Sequence, residues 1–258
     1  MDRNHRAGLA SVTFRQHEYQ DVVKHVKIAG LSCIEWGGDV HAPHDAAEKA
    51  NLIDAEMCAN NLVTSSYGSY YRLGADGEPD IFERVMKVAV NLSAPVIRVW
   101  GGVCGSRRLS AEGRESIIKD ALRVAEKAKQ ANIKIALEYH QDTITDTVKS
   151  ALDFMEEARG RGGDNIYLYW QPNQNVQFLA NKDALVDICP YLANIHVFAW
   201  EGSMRLPLRA HSDRWAGYIN IIREHSGAEH DFLLEFVKGD SADQMAEDAE
   251  VLAELLDR

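Results

Sequence analysis

The stretch Ile133-Lys134-Ile135-Ala136-Leu137-Glu138-Tyr139-His140 alternates in character from one residue to the next. Successive side chains of a strand point to opposite faces, so Ile133, Ile135, Leu137 and Tyr139 share one face and Lys134, Ala136, Glu138 and His140 the other. An apolar face to be covered by helices lies opposite a face that ends in a carboxylate and an imidazole. A strand of a parallel barrel has this pattern, with its reactive groups at the C-terminal end.

Outward from this strand, a short β-branched or aromatic run followed by a segment of helical spacing recurs eight times along the chain. Strands are expected at Gly8 to Phe14, Cys33 to Trp36, Leu62 to Ser66, Val96 to Gly101, Ile133 to His140, Ile166 to Gln171, Asn194 to Trp200 and Phe232 to Val237. Helices are expected at Glu18 to Ala29, Asp45 to Asn60, Asp80 to Leu92, Glu112 to Ala131, Thr147 to Arg159, Lys182 to Ile188, Trp215 to His225 and Ser241 to Leu256. Ser110 and Ser241 are placed to cap the helices they precede, and Gln244 stands in the capping-box position after Ser241. This order predicts an α/β fold, a (β/α)8 TIM barrel in which residues 1–258 form one domain. An open doubly wound sheet would need a glycine-rich phosphate turn after the first strand, and Val12-Thr13-Phe14-Arg15-Gln16 is not one.

The chain of 258 residues carries 28 Lys and Arg against 39 Asp and Glu, a net charge of −11. That balance argues against a nucleic-acid groove or an anionic membrane face, since both require a concentrated positive field. Cys33, Cys58, Cys104 and Cys189 are widely spread without a C-x-x-C pair, which suggests neither a thiolate zinc site nor a disulfide framework. No stretch approaches the roughly 18 consecutive apolar residues of a transmembrane helix, and Met1-Asp2-Arg3-Asn4-His5-Arg6 lacks the apolar segment of a signal peptide. A soluble cytoplasmic protein is expected, with a small-molecule partner, without nucleic acid or membrane, and with homo-oligomerisation left open.

The alternation rule applied to the last four strands turns Glu138, Gln171, His196 and Glu235 inward from consecutive strands at matching depth. Two carboxylates, an imidazole and an amide in an otherwise apolar barrel mouth cost several kcal/mol in desolvation unless something compensates. A divalent cation does so, and a donor set of oxygen and nitrogen without sulfur suits Mn²⁺ first, with Mg²⁺, Co²⁺ and Zn²⁺ as alternatives. The expected metal ligands are therefore Glu138, Gln171, His196 and Glu235. If a metal is bound, Glu138 and Glu235 are expected to be the catalytic bases, one removing a proton and the other returning it.

In these motifs the chain resembles the sugar-phosphate isomerase/epimerase superfamily, the xylose-isomerase-like TIM barrels that include ketose epimerases of the D-tagatose 3-epimerase type and inosose-processing enzymes. The resemblance spans nearly the whole chain and rests on Ala136-Leu137-Glu138-Tyr139-His140, Tyr169-Trp170-Gln171-Pro172-Asn173, Asn194-Ile195-His196-Val197-Phe198 and Leu234-Glu235-Phe236. Cys33-Ile34-Glu35-Trp36 resembles the family's G-x-E strand, with Gly30 slightly upstream. The resemblance implies a metal-dependent isomerase or epimerase acting on a small sugar, keto-sugar or polyol through an enediolate. A dehydratase or lyase, or an inactive sugar-binding barrel, is the alternative on the same fold. Where the family has an Asp on the sixth strand, this chain has Gln171, a neutral ligand, and Asn173 stands near the place of a substrate-contacting His.

Further substrate contacts are expected from side chains near the strand C-termini. Trp100 and Trp200 should face the pocket, where their rings can stack on a sugar, whereas Trp36 and Trp170 should pack under helices. His140 shares the inward face of its strand, His41 lies in a Gly-rich loop after strand two, and Tyr67 belongs to a hydroxyl-rich run after strand three. Arg98 should pair with Glu35 inside the barrel. Arg205 and Arg209 follow strand seven, where a guanidinium can hold a carboxylate or phosphate.

Overall fold

The structure, a computed structural model, describes residues 5–75 and 79–257. The N-terminal stretch Met1–Asn4, on which most of the reading against a signal peptide rests, lies outside them. Eight parallel strands close into a barrel: β1 (Arg6–Ala10), β2 (Cys33–Gly37), β3 (Val63–Arg72), β4 (Val96–Trp100), β5 (Lys134–Glu138), β6 (Ile166–Trp170), β7 (Leu192–Val197) and β10 (Asp231–Leu234). A small antiparallel hairpin, β8 (Trp200–Glu201) and β9 (Met204–Arg205), stands between β7 and the helix that follows it. The helices are α1 (Tyr19–Ile28), α2 (Ala47–Ala59), α3 (Pro79–Asn91), α4 (Ala111–Lys129), α5 (Val148–Gly160), α6 (Phe178–Ile188), α7 (Ser212–His225) and α8 (Ala242–Leu256).

Two apolar layers follow from the alternation. The larger lies between barrel and helices and takes Ile135 and Leu137 from β5, Leu168 and Trp170 from β6, and Ile195 and Val197 from β7. The smaller fills the barrel interior with Cys33, Val96, Ala136, Tyr169, Ala193 and Leu233. Gly8 has no side chain because none fits: a Cβ there would stand 2.5 Å from the Cys33 carbonyl oxygen and 2.6 Å from a Leu233 methyl. Closure of β1 against β2 and β10 depends on that close approach. Trp170 is buried with its ring edge-on to Trp215 and Tyr218, and it joins β6 to α7.

Helix starts follow local chemistry. Ser110 accepts from the Gly113 amide at 3.1 Å, Thr147 from Ser150 at 3.2 Å and Ser241 from Gln244 at 3.3 Å, each satisfying a backbone donor that the helix leaves free. The Gln244 side chain does not complete a capping box; it donates to Glu247 and Asp248 instead. Several strand boundaries differ from expectation, and β5 and β10 stop short of it, at Glu138 and Leu234. β1 ends at Ala10 and the chain turns through a 3-10 segment at Ser11–Phe14. β3 runs on to Arg72. The expected seventh strand breaks after Val197, and Trp200 opens the hairpin.

Asp248 of α8 is buried and accepts the Leu208 amide at 2.8 Å, which anchors the segment between the hairpin and α7. Burial pushes its carboxyl up to about 6, against the opposing pull of the Leu208 and Gln244 donors. The native state therefore holds this proton more tightly than the unfolded chain does. Its contribution to stability is complete below the ordinary aspartate range and is lost as pH rises to about 6. Denaturant unfolding of wild type and Asp248→Asn should show the wild type losing stability relative to the variant from about pH 4 to about pH 6; parallel profiles would refute this.

Candidate active site

The strand C-termini surround a cavity of about 420 Å³. At its base lies a cluster of buried charges, of which Arg98 from β4, Glu138 from β5 and Glu235 immediately after β10 line the cavity, while Glu35 from β2 and His196 from β7 are buried behind them. Arg98 is the centre of this cluster. Its Nε and Nη2 donate to Glu35 Oε1 at 3.0 and 2.9 Å, and Nη1 makes a short ion pair with Glu138 Oε2. Room for the guanidinium comes from β3, where a Cβ on Gly68 would stand 2.6 Å from Arg98 Nη2 and 3.1 Å from Glu35 Oε1. Ser66, two residues earlier on the same inward face, donates to Glu35 Oε2 at 2.8 Å.

His196 Nε2 lies 3.2 Å from Glu35 Oε1, and because a carboxylate paired to Arg98 can only accept, Nε2 carries the hydrogen. The other ring nitrogen, Nδ1, is buried without a hydrogen-bond partner. It stands 3.6 Å from Glu235 Oε2 and 3.9 Å from Glu138 Oε1. Gln171 closes the group, donating through Nε2 to Glu138 Oε1 at 3.2 Å and to the Tyr139 carbonyl at 3.4 Å. The four side chains expected to converge are thus linked through Glu138 and His196.

The charges perturb one another in a consistent way. Burial alone would raise the Glu35 carboxyl, but Arg98 and His196 overcome it and hold the group well below the usual carboxylate range. Burial alone would lower His196, and the adjacent Glu235 and Glu35 raise it instead. Glu235 is pushed up by burial and by the negative charge of Glu138 and Glu35, against the pull of His196 and Arg98. Arg98 stays charged: its burial is outweighed by Glu138 and Glu35. Among the described residues no group of three or more His, Cys, Asp and Glu side chains is arranged as a metal site as it stands.

Of the residues expected to meet substrate, Trp100, His140, Asn173 and Trp200 line the cavity, together with Glu138, Gln171 and Glu235. Three others lie elsewhere. His41 is buried against Trp36, with Nδ1 3.1 Å from Ser11 Oγ and Nε2 3.1 Å from the His17 carbonyl, so it ties the loop after β2 to the turn after β1. Tyr67 faces the helices because β3 continues through it. Ser66 and Gly68 take the inward positions, and the Tyr67 hydroxyl donates to the Ala42 carbonyl at 2.8 Å. Arg205 stands behind the cavity wall, paired with Asp240, its guanidinium 5.5 Å from the Trp200 ring and 5.0 Å from the Phe236 ring.

Tyr70 and Phe236 also line the cavity, with φ of +58° and +50°. Tyr70 keeps the inward parity of Ser66 and Gly68 on β3, whereas Phe236 follows the inward Glu235, so alternation sends it outward and its positive φ turns it into the cavity instead. Arg15, from the 3-10 turn after β1, links the two: it donates to the Tyr70 hydroxyl at 3.0 Å, lies 5.7 Å from the Phe236 ring and pairs with Asp39 at 2.5 Å. Tyr70 is stacked on Trp100, and burial pushes its hydroxyl up to about 12.

No curated protein matches the sequence. Solved structures do match its fold. A probable 3-DHS dehydratase involved in petrobactin synthesis from Bacillus anthracis is 18% identical with a TM-score of 0.73, over 97% of this chain and 99% of that one. A 3-keto-D-glucoside 4-epimerase from E. coli is 15% identical with a TM-score of 0.73, over 99% and 100%. A xylose isomerase-like TIM barrel protein from Mycobacterium smegmatis, in complex with magnesium, is 13% identical with a TM-score of 0.72, over 98% and 97%. Among the described residues no helix is long and apolar enough to cross a membrane. The family model of the xylose isomerase-like TIM barrel matches residues 23–255, nearly the whole of the closed barrel and its charged floor, and the chain belongs to that family.

Proposed function

We propose that this protein is a metal-dependent isomerase or epimerase that moves a proton between carbons of a small sugar, keto-sugar or polyol through an enediolate, with Glu138 and Glu235 as the bases. The observation that carries this reading is the His196 Nδ1 atom. With its hydrogen on Nε2, the ring directs a bare lone pair toward Glu138 and Glu235, an arrangement that is repulsive without a cation or proton between them. The surrounding charge supports a cation, because the guanidinium of Arg98 offsets only one of the three carboxylates Glu35, Glu138 and Glu235. His196, Glu138 and Glu235 would hold the ion, with Gln171 joining them if its amide turns its oxygen inward. Mn²⁺ fits this oxygen and nitrogen set, and Mg²⁺, Co²⁺ and Zn²⁺ are the alternatives. When bound, the cation supplies positive charge against the oxygens of an enediolate.

The chain's own groups do the remaining work. Glu235, whose carboxyl burial and negative neighbours push up, is a stronger base than an exposed carboxylate and is suited to take a proton from carbon. Glu138, paired with Arg98 through one oxygen, can act from β5, across β6 and β7 from Glu235. Glu35 orients His196 and Arg98 without reaching the cavity. Trp100, His140 and Trp200 offer ring faces and edges to the apolar side of a sugar, and Asn173 an amide to its hydroxyls.

Glu138→Gln and Glu235→Gln preserve shape and remove basicity. With the substrate found by screening keto-sugars and cyclic keto-polyols in the presence of Mn²⁺, each variant should lose turnover by at least about 10²-fold. Near wild-type turnover in either would remove that residue from the pair. For the metal, calorimetric Mn²⁺ titration of wild type, Gln171→Asp and Gln171→Glu separates charge from reach. At least one acidic variant should bind more tightly. If neither does while both stay folded, Gln171 is not a ligand and the site reduces to Glu138, His196 and Glu235.

A further inference from the structure

The main cavity runs from a buried floor to an exposed rim. Arg98, Glu138, Gln171 and Glu235 at the floor are buried, whereas four lining residues are exposed: Arg15, Gln141, Gln174 and Asn175. Three of these four are amides, and they stand on the connections that follow β5 and β6. The connection from β6 to α6 is rich in such groups: Gln171-Pro172-Asn173-Gln174-Asn175-Val176-Gln177 carries an amide at five of its seven positions. At about 420 Å³ the cavity is in the range that takes drug-sized ligands, larger than one hexose fills.

Hydrogen bonds order the rim and leave donors and acceptors over. Asn181 of α6 is buried, accepts the Asn173 amide at 2.9 Å and donates to the Asn173 carbonyl at 2.9 Å, which fixes the turn. Asn173 Oδ1 accepts the Asn175 amide at 2.9 Å, and Asn175 Nδ2 donates to Gln141 Oε1 at 3.1 Å, which ties the two connections together. Gln141 Nε2, Asn173 Nδ2, Asn175 Oδ1 and both side-chain ends of Gln174 make no hydrogen bond among the described residues. Each can meet a hydroxyl, which both donates and accepts. Rings stand on either side of these amides. His140, next to Gln141, has the Trp100 ring 4.8 Å from its own, and Trp200 lines a small recess behind the cavity together with Asn173 and Gln174. Amides for the hydroxylated edge and rings for the apolar face suit a pyranose.

The charge of the cavity decides against an anionic substituent. Both guanidinium groups in its lining are already paired, Arg15 with Asp39 and Arg98 with Glu35 and Glu138. Glu138, Asp146 and Glu235 contribute carboxylates, and the rim amides are neutral. A phosphate or carboxylate would therefore meet no unpaired Lys or Arg among the lining residues. We propose that the cavity takes a neutral glycoside of a keto-sugar: the reacting keto-sugar sits on the floor over Glu138 and Glu235, and its glycosyl substituent lies along the amide rim between Trp200 and the Trp100–His140 pair. The proposal rests on the reading of the floor as the reacting site, and binding tests it separately from turnover.

Ligand-observed NMR titrations of the whole protein with Mn²⁺ read binding whether or not the ligand is turned over. The probes are D-fructose, D-fructose 6-phosphate and the isomeric glucosyl-fructoses, which differ in the hydroxyl that carries glucose. At least one glucosyl-fructose should bind about tenfold more tightly than D-fructose, and D-fructose 6-phosphate should bind no more tightly than D-fructose. Gln174→Ala, at an exposed position without a hydrogen bond among the described residues, should weaken the tightest glucosyl-fructose about fivefold, the equivalent of one neutral hydrogen bond, and leave D-fructose unchanged. Gln141→Ala should do the same. The rim subsite is overturned if no glucosyl-fructose binds more tightly than D-fructose, if the phosphate binds tightest, or if the two variants alter both ligands equally or not at all. Tight binding of a glucosyl-fructose that is never turned over would keep the subsite and remove the proposed reaction. Turnover of free keto-sugars with no preference for a glycosyl group would keep the reaction and remove the subsite.

Discussion

The ion pairs of Arg98 are the constraint around which the site is built. A guanidinium sealed inside a barrel is costly in itself, and here it is placed between Glu35 on one side and Glu138 on the other. Removing it would leave two buried carboxylates facing each other without a cation, at a cost of about 3 to 5 kcal/mol for breaking such a pair. The neighbouring strands accommodate it: Gly68 leaves the space, Ser66 satisfies the second oxygen of Glu35, and the Tyr169 hydroxyl, 3.2 Å from Ser66 Oγ, extends the network into the barrel core.

From that pair the rest of the site follows in order. Glu35, saturated by Arg98 and Ser66, can only accept from His196, which sets the hydrogen on Nε2 and turns Nδ1 toward the cavity floor. Glu138 is tied through one oxygen to Arg98 and keeps the other near His196 and Gln171. Glu235 has no such guanidinium contact, and its carboxyl is accordingly the one that burial raises. Two carboxylates on neighbouring sides of one imidazole therefore differ in their surroundings, an asymmetry that the proposed two-base proton transfer would use.

The strand interiors were legible in the sequence because barrel strands are regular: once Glu138 was turned inward, parity also assigned Gln171 and His196 correctly, and Glu235 at the end of β10. Parity fails where the backbone is not extended. Phe236, next to the inward Glu235, adopts a positive φ, and it is not a glycine that would have announced it. Tyr67 was misplaced for a different reason, because β3 is longer than its apolar run and an outward strand position was taken for a loop. His41 and Arg205 lie in connections whose paths depend on partners distant in sequence, Ser11 and His17 for one and Asp240 for the other. The pairing of Arg98 with Glu35 was legible from alternation, but its reach to Glu138 depends on the stagger of β4 against β5, which no spacing along one strand reveals.

The central claim is that His196 Nδ1, Glu138 and Glu235 enclose the place of a divalent cation above the Arg98 pairs. Anomalous diffraction at the manganese edge, from crystals of the wild-type protein grown with Mn²⁺, tests it most directly. The account predicts a single anomalous peak in contact with His196 Nδ1 and with an oxygen of each of Glu138 and Glu235, with Arg98 still bound to Glu35. A peak elsewhere in the barrel, or none at this position in crystals that bind Mn²⁺ at other sites, would contradict it.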